Sequence, residues 1–279
     1  MARSCQLANI RRLFIVSLIL IAGTAAAQVP QPVFPPWIQF TDQTSTRLNL
    51  LPGGLNDTWE KDIATGDLDQ DGRTDVVVVR KKAFSFPGAA SDLLLMNLGG
   101  VLTDSTALFA PGFYNITTDA RDVVIDDFDL DGWLDVVVAT TFVSPQPNAL
   151  QQLRYYRNLG RNAAGNWLGL RDESAVRIPL LDLSMPPLNS KQQFCAVASG
   201  DLTGDGLPEL YLTNYDKTGT AVDVLLHNIG FGLFQDASAA MLNRRNSAFG
   251  TGVELVDIDG DGDRDVIKTS AQHPVAPWN

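Results

Sequence analysis

Four copies of a nine-residue acidic loop constrain this sequence more than any other feature. They occupy residues 67–75, 127–135, 201–209 and 257–265, and they align without gaps on the pattern Asp-x-Asp/Thr-x-Asp-Gly-x-x-Asp/Glu. An aliphatic residue stands four positions before each loop, and an apolar run rich in β-branched residues follows it. Self-similarity at a period of about sixty residues is typical of repeat architectures.

The segments around the loops predict β-strands. Runs such as Val76–Val79 and Val136–Ala139 are continuous and apolar, as in strands buried on both faces. The two runs after the later loops, Leu210–Leu212 and Val266–Ile267, are interpreted in the same way. The segments between the loops predict a strand, a turn at Asn-x-Gly and a returning strand that ends in Asp. The turn is predicted because Asn and Gly tolerate the positive φ that such turns require. The predicted fold is an all-β propeller of about four four-stranded antiparallel blades, with almost no helix.

The acidic loops are predicted to be metal sites. Carboxylates held a few ångströms apart repel by roughly 1 kcal/mol per pair in water and up to about 4 kcal/mol at an effective dielectric near 20. An ordinary surface turn has no reason to collect that repulsion, whereas Ca²⁺ reverses its sign by binding about six to eight oxygen atoms. We expect up to four calcium ions. The third loop is the weakest site, because Thr203 and Glu209 replace two aspartates.

The EF-hand shares the first half of the loop pattern. It requires a bidentate Glu at the twelfth position and a following helix. Here strands are predicted to follow, and the fourth acid comes at the ninth position, so the loops are not EF-hands. The twelfth positions are Val78, Val138, Leu212 and Lys268.

Taken together, the loops, their following strands and the Asn-x-Gly hairpins resemble the FG-GAP and VCBS repeat family. The calcium loops of this family are best known from the β-propeller of integrin α-subunits, and the resemblance covers nearly all of residues 37–279. It implies a propeller with one calcium ion per loop, used as a scaffold for adhesion or recognition.

The resemblance also implies side-chain ligands at positions 1, 3, 5 and 9 of each loop and a carbonyl ligand at position 7. The implied side-chain ligands are Asp67, Asp69, Asp71, Asp75, Asp127, Asp129, Asp131, Asp135, Asp201, Thr203, Asp205, Glu209, Asp257, Asp259, Asp261 and Asp265. The implied carbonyl ligands are Arg73, Trp133, Leu207 and Asp263.

The first 27 residues are predicted to be a secretory signal peptide. Three arginines form a basic start, residues 13–22 are apolar, and Ala25-Ala26-Ala27 offers a small-residue cleavage site. The alternative is an N-terminal membrane anchor, which is disfavoured because the apolar run is about half of the usual ~20 residues. We therefore expect a secreted protein, extracellular or periplasmic. Its mature repeat domain is residues 28–279, with no transmembrane segment after cleavage.

The charge of the mature domain narrows the choice of partners. Cleavage removes three arginines and no acid, so the formal charge changes from −11 to −14. Such a surface repels nucleic acid and anionic lipid. Cys195 is then the only cysteine, so an intrachain disulfide cannot form and calcium is expected to supply much of the rigidity. The expected partner is an unidentified extracellular protein or carbohydrate.

No catalytic constellation is evident. Neither His227 nor His273 belongs to a His-Glu-x-x-His motif, and neither a Gly-x-Ser-x-Gly elbow nor a phosphate loop is present. The alternative to a recognition scaffold is the propeller domain of a secreted polysaccharide-acting enzyme, a lyase or hydrolase. A lyase requires basic residues facing an acidic sugar, and residues 80–82 either supply them or cap the strand that they follow. Trp133 either stacks on a sugar ring or packs against the neighbouring loop.

The repeat number leaves the closure of the propeller open. Phe40-Thr41-Asp42 matches the returning strand of a hairpin, and Trp278-Asn279 falls where the other units place the Asn of the turn. Either these two halves join into one blade of a four-bladed ring, or the chain is a fragment of a longer propeller. The family resemblance implies about six to eight blades, within the range of about four to eight that propellers show. We expect the fragment, seen as an open array of blades rather than a ring.

Overall fold

The computed structural model describes most of the repeat region as β-structure. The described residues are 41–50, 58–82, 89–114, 119–141, 153–179, 194–214, 223–242 and 250–270. The predicted signal peptide, His273 and the C-terminal Trp278-Asn279 lie outside them. Residues 43–279 group as one compact unit, which holds all the elements below. In the described part of the chain, no helix is long and apolar enough to cross a membrane.

The strands form four sheets, each built from one repeat. The first three sheets are antiparallel meanders, in which the first two strands are joined by the acidic loop and the last two by the Asn-x-Gly turn. A short extra strand adds to the first sheet in parallel. The first sheet contains β1 (Leu48–Asn49), β2 (Glu60–Gly66), β3 (Asp75–Arg80), β4 (Leu93–Asn97) and β5 (Leu102–Asp104). The second contains β6 (Asp119–Asp126), β7 (Asp135–Thr141), β8 (Arg154–Asn158) and β9 (Leu170–Asp172). The third contains β10 (Phe194–Gly200), β11 (Glu209–Asn214), β12 (Val224–Asn228) and β13 (Phe234–Asp236). The fourth contains β14 (Gly250–Val256) and β15 (Asp265–Ser270).

The sheets follow one another in chain order, with their first strands side by side. β2 packs against β6, β6 against β10, and β10 against β14. The hydrophobic cores lie between successive sheets. Phe128 of the second loop, for example, is fully buried and meets Phe234 of the third sheet with ring centroids 5.8 Å apart. This stack of blades is consistent with an open β-propeller, and the predicted fold class is confirmed.

A β-bulge interrupts the first strand of every blade, which the sequence analysis did not predict. In the first two blades the pairing shifts between Glu60 and Asp62 and between Ala120 and Asp122. The side chains after these bulges reach the next blade: the N–H of Val123 donates to Asp62 Oδ2 at 3.3 Å, and that of Val197 donates to Asp122 Oδ2 at 2.9 Å. Bulges re-aim side chains in this way, and here they tie neighbouring first strands together.

One-turn helices follow the last strand of each complete blade. In the third blade, Asp236 Oδ1 accepts hydrogen bonds from the N–H and the hydroxyl of Ser238, and Ser238 Oγ accepts one from the N–H of Leu225 at 3.0 Å. Thr106 and Ser174 make the same contacts in the first two blades. The helices are α1 (Thr44–Arg47), α2 (Thr106–Phe109), α3 (Ser174–Arg177) and α4 (Ser238–Met241), with a 3-10 turn at Pro111–Tyr114.

The fourth sheet departs from the prediction of buried strands. Val266 and Ile267 lie in β15 as expected, but they are 38% and 44% exposed, whereas Val77 in β3 is fully buried. The prediction of burial is wrong for this strand because, within the described residues, β15 pairs only with β14 and no further sheet covers it. Thr41 and Asp42 belong to no strand, so nothing in the described ranges closes the blades into a ring.

Candidate metal sites

The four acidic loops share one backbone conformation. The N–H of the sixth residue donates to the carboxylate of the first at 2.9–3.0 Å, and the N–H of the seventh donates to the fifth residue at 2.9–3.0 Å. The sixth residue is a glycine with φ between 84° and 98° in every loop, a conformation that side chains rarely adopt. These glycines are Gly72, Gly132, Gly206 and Gly262. The repeated sequence therefore orients the first and fifth acids in the same way four times.

The first two loops bring together the acids at positions 1, 3 and 5. Asp67, Asp69 and Asp71 each place an oxygen within 4.8 Å of the others, and residues 127, 129 and 131 do the same. In the second group, Asp129 Oδ1 is buried and has no hydrogen-bond partner among the described residues. A buried carboxylate oxygen without a partner is costly, and a cation would satisfy it. This donor set therefore fits calcium, which takes carboxylate oxygens.

Burial and, to a smaller degree, repulsion between neighbouring acids raise the pKa of two loop carboxyl groups. Burial raises the pKa of Asp69, and the neighbouring negative charge of Asp71 raises it further. The pKa of Asp127 is also raised, first by burial, with contributions from the charges of Asp131 and Asp129. A bound divalent cation would oppose both shifts, because it favours the charged carboxylate.

The ninth-position acids of the first two loops have a structural role. Asp75 is buried, and its two oxygens accept hydrogen bonds from the N–H groups of Asn97 (2.8 Å) and Leu68 (3.0 Å). Asp135 is buried too, and it accepts from the N–H of Asn158 at 2.7 Å and from the hydroxyl of Tyr155. Burial raises the pKa of Asp75 to about 6 and that of Asp135 to about 7. Both acids lie outside the three-acid groups and tie each loop to its hairpin.

The later loops assemble different groups. The fourth gathers Asp257, Asp259 and Asp265, so its ninth-position acid takes part. The third gathers Asp205, Glu209 and His227, and its first acid, Asp201, instead accepts hydrogen bonds from four backbone N–H groups of its own loop. Among the predicted carboxylate ligands, four lie outside these groups: Asp75, Asp135, Asp201 and Asp261. The Thr203 hydroxyl and the carbonyl ligands of Arg73, Trp133, Leu207 and Asp263 stay predictions.

Arginine side chains contact the acids of two loops, and the sequence analysis did not single out two of them, Arg157 and Arg177. Arg157 Nε donates to Asp129 Oδ2 and its Nη2 donates to Asp131 Oδ2, both at 2.8 Å. Arg177 also reaches Asp129 Oδ2, at 3.3 Å, and Arg73 pairs with Asp71. These guanidinium groups offset part of the loop charge in the metal-free protein. The sequence carried a signal for the contact of Arg157 with the loop, because Arg157 directly precedes the turn residue Asn158.

The turn asparagines join the loops of neighbouring blades. Asn158 Nδ2 donates to the carbonyl of Leu68 in the first loop at 2.8 Å. Asn228 Nδ2 repeats this contact one blade further on, with the carbonyl of Phe128 in the second loop at 2.8 Å. Consecutive acidic loops are therefore held at the same edge of the array.

The features that suggested an enzyme are engaged in packing. Lys81 is 4% exposed, and its Nζ lies 3.6 Å from Asp119 Oδ2, so it does not face solvent. Arg80 is buried as well, with its guanidinium over the Trp59 ring. Trp133 packs against the hydrophobic cluster between the first two blades. Arg80, Lys81 and Trp133 therefore pack within the blades, and Lys82 Nζ lies 5.1 Å from the centroid of the Trp59 ring.

Comparison with known families identifies one repeat. The FG-GAP-like repeat matches residues 201–267, from the first acid of the third loop to the strand after the fourth loop. The match thus spans one full period of the architecture described above. None of the curated proteins compared with the chain matches it.

Proposed function

We propose that this protein is an exported calcium-binding scaffold for recognition outside the cytoplasm. The observation that carries the proposal is the set of acidic loops with one shared backbone conformation, each contributing to a group of ligand atoms within 4.8 Å of one another. The FG-GAP-like match to the third and fourth loops supports it, since calcium loops are expected in integrin-like and VCBS propellers. The first, second and fourth loops supply only carboxylates, and the third is the weakest calcium site.

Calcium would change the net charge of the repeat domain and the free energy of its unfolding. Four bound ions would change the formal charge of residues 28–279 from −14 to −6. Each ion stabilises the folded protein by RT ln(1 + [Ca]/Kd) because the unfolded chain lacks the site. Because Asn158 bonds the Leu68 carbonyl of the first loop and the Leu134 carbonyl of the second, we expect ion binding at one loop to restrict the motion of the other.

Calcium binding is tested by counting bound ions. Chelator-treated protein is titrated with Ca²⁺ in a calorimeter, and bound calcium is measured after dialysis. We expect three to four equivalents, and Asp71→Ala should lose one of them. Glu254→Ala is the matched control, because Glu254 is an exposed acid outside the loops and should change nothing.

Recognition and export require separate experiments. The partner is proposed to be an extracellular protein or a carbohydrate, and a glycan array and a pull-down from extracellular material test the two classes. Clean negatives from both would leave calcium binding in place and remove recognition from the proposal. Export is tested by expressing the full chain and sequencing the N-terminus of the released protein, which we expect to begin at Gln28.

A further inference from the structure

The third acidic loop differs from the others in the residues that it brings together. Asp205, Glu209 and His227 each place one ligand atom within 4.8 Å of the others. His227 is not part of the loop; it lies on β12, one position before Asn228. Among the groups formed by described residues, this one alone combines carboxylates with an imidazole.

His227 occupies a strand position from which side chains reach the loop acids. The equivalent residue of the second blade is Arg157, which contacts Asp129 and Asp131 at 2.8 Å each. In the third blade, His227 Nδ1 is hydrogen-bonded to Glu209 Oε1 at 3.0 Å, and the His227 side chain is 30% exposed. The imidazole therefore contacts Glu209 from strand β12, and it remains exposed enough for an ion to reach it from solvent.

Glu209 brings a carboxylate oxygen of the third loop within reach of the imidazole. In the first blade, both oxygens of Asp75 are taken by backbone N–H groups. In the third blade, Glu209 Oε2 keeps the equivalent bond, from the N–H of Leu202 at 2.8 Å. The additional methylene of Glu carries Oε1 outward to His227. One buried carboxylate thus both anchors the loop and presents an oxygen beside a nitrogen ligand.

The donor set of Asp205, Glu209 and His227 suits zinc better than calcium. Calcium takes oxygen ligands, and six to eight of them, whereas imidazole and carboxylate together are typical of zinc. With bonds of about 2.0 Å, two ligand atoms of a tetrahedral zinc lie about 3.3 Å apart, close to the 3.0 Å between His227 Nδ1 and Glu209 Oε1. Thr203 further weakens the loop for calcium, because it replaces the third-position Asp.

We infer that Asp205, Glu209 and His227 form a site for a borderline divalent cation such as Zn²⁺, which the third loop prefers to Ca²⁺. Three protein ligands leave one coordination position open to water. The inference rests on the proposed function, in which the acidic loops hold cations. It assigns zinc instead of calcium to the third of the four loops.

The test is a zinc titration of the full chain in saturating Ca²⁺, with Co²⁺ as a spectroscopic probe of the same site. We expect one equivalent of Zn²⁺ to bind and Co²⁺ to give the visible absorption of a site of low coordination number. His227→Ala should weaken zinc binding at least about tenfold, since losing even an outer-shell partner costs 10–100-fold. Glu209→Asp, which installs the residue of the other loops, should weaken it by a similar factor.

His273→Ala is the matched control, because it removes the other histidine of the chain and should leave zinc binding unchanged. Unchanged zinc affinity in both His227→Ala and Glu209→Asp would overturn the inference, and so would complete displacement of zinc by calcium. The proposed function fails separately, if Ca²⁺ does not bind to the wild-type chain and Asp71→Ala has no effect on calcium content. Calcium binding with no specific zinc site would leave the proposed function standing alone.

Discussion

Asn158 Nδ2 donates a 2.8 Å hydrogen bond to the carbonyl oxygen of Leu68, across the boundary between the first two blades. The same side chain also holds the carbonyl of Leu134 at 3.0 Å, and its Oδ1 accepts from the Trp167 indole at 2.8 Å. Asn158 is fully buried. A residue that looks like a simple turn former therefore connects an acidic loop, a hairpin and the neighbouring blade.

Asn158→Ala is expected to destabilise the protein by about 1–3 kcal/mol per buried partner left without a hydrogen bond. Asn97→Ala provides the matched comparison, because Asn97 occupies the same turn position but bonds the Thr74 carbonyl of its own blade in an exposed contact. Denaturant unfolding at fixed calcium should show a clearly larger loss for Asn158→Ala. Equal losses would mean that the contact between blades contributes little.

The pair of Asp62 and Asp122 predicts a pH dependence of stability. The two carboxyl groups are hydrogen-bonded to each other, and burial first, then Asp62, raise the pKa of Asp122 to about 8. The charged groups at this boundary include Lys81 and Asp119, whose Nζ and Oδ2 lie 3.6 Å apart. Because the folded pKa of Asp122 lies above its ordinary value of 3.8, the stability that the shared proton supplies is complete below about pH 4 and is lost as the pH rises towards 8. At saturating calcium, Tm should therefore fall between pH 6 and pH 9.

Asp62→Asn should flatten this pH dependence, because the amide can donate to Asp122 without a titrating proton. A difference of about 1 kcal/mol between the ends of the pH range corresponds to roughly 2–4 °C in Tm for a domain of this size. Glu254→Gln, an exposed acid on the equivalent strand of the fourth blade, is the control. Parallel Tm–pH curves for the wild type and Asp62→Asn would show that this pair does not hold the proton.

The third prediction concerns the Ser or Thr that begins the one-turn helix after each complete blade. Ser238 Oγ accepts the N–H of Leu225 at 3.0 Å and is fully buried. Ser238→Ala leaves that N–H without a partner and should cost about 1–3 kcal/mol in unfolding free energy. Ser238→Thr should be tolerated, because Thr106 makes the same contact in the first blade. Equal destabilisation by both variants would assign the loss to packing rather than to the hydrogen bond.

Arg157 should compete with calcium at the second loop. Its guanidinium holds Asp129 and Asp131, and an ion bound there must weaken both contacts. Arg157→Gln is expected to lower the stability of the calcium-free protein and to raise calcium affinity at this loop by several-fold. The control is Arg47→Gln, because Arg47 donates to the Gln43 side chain and to the Gly100 carbonyl, away from the second loop. Calorimetric titration measures both effects, and an unchanged or lower affinity in Arg157→Gln would show that the arginine does not compete.

The sequence predicted those parts of the fold that repeat in the pattern of residue types. Runs of β-branched residues and the Asn-x-Gly turns locate the strands, because periodicity and turn chemistry are local properties. The bulge before Asp62 was not predictable, since one extra residue in a strand leaves no compositional trace. The exposure of Val266 depends on what covers β15, which is a tertiary property. For the same reason the partners of Asp75 and the approach of His227 to the third loop became visible only in the structure.

The most direct test of the account is a pair of thermal melts of the mature protein, one in excess Ca²⁺ and one in excess chelator. A site filled at a hundredfold excess over Kd contributes about 2.7 kcal/mol, and each kcal/mol raises Tm by roughly 2–4 °C. Three or more filled loops should therefore raise Tm by at least about 10 °C. Identical melting temperatures in calcium and in chelator would contradict the claim that these loops bind calcium and that calcium stabilises the blades.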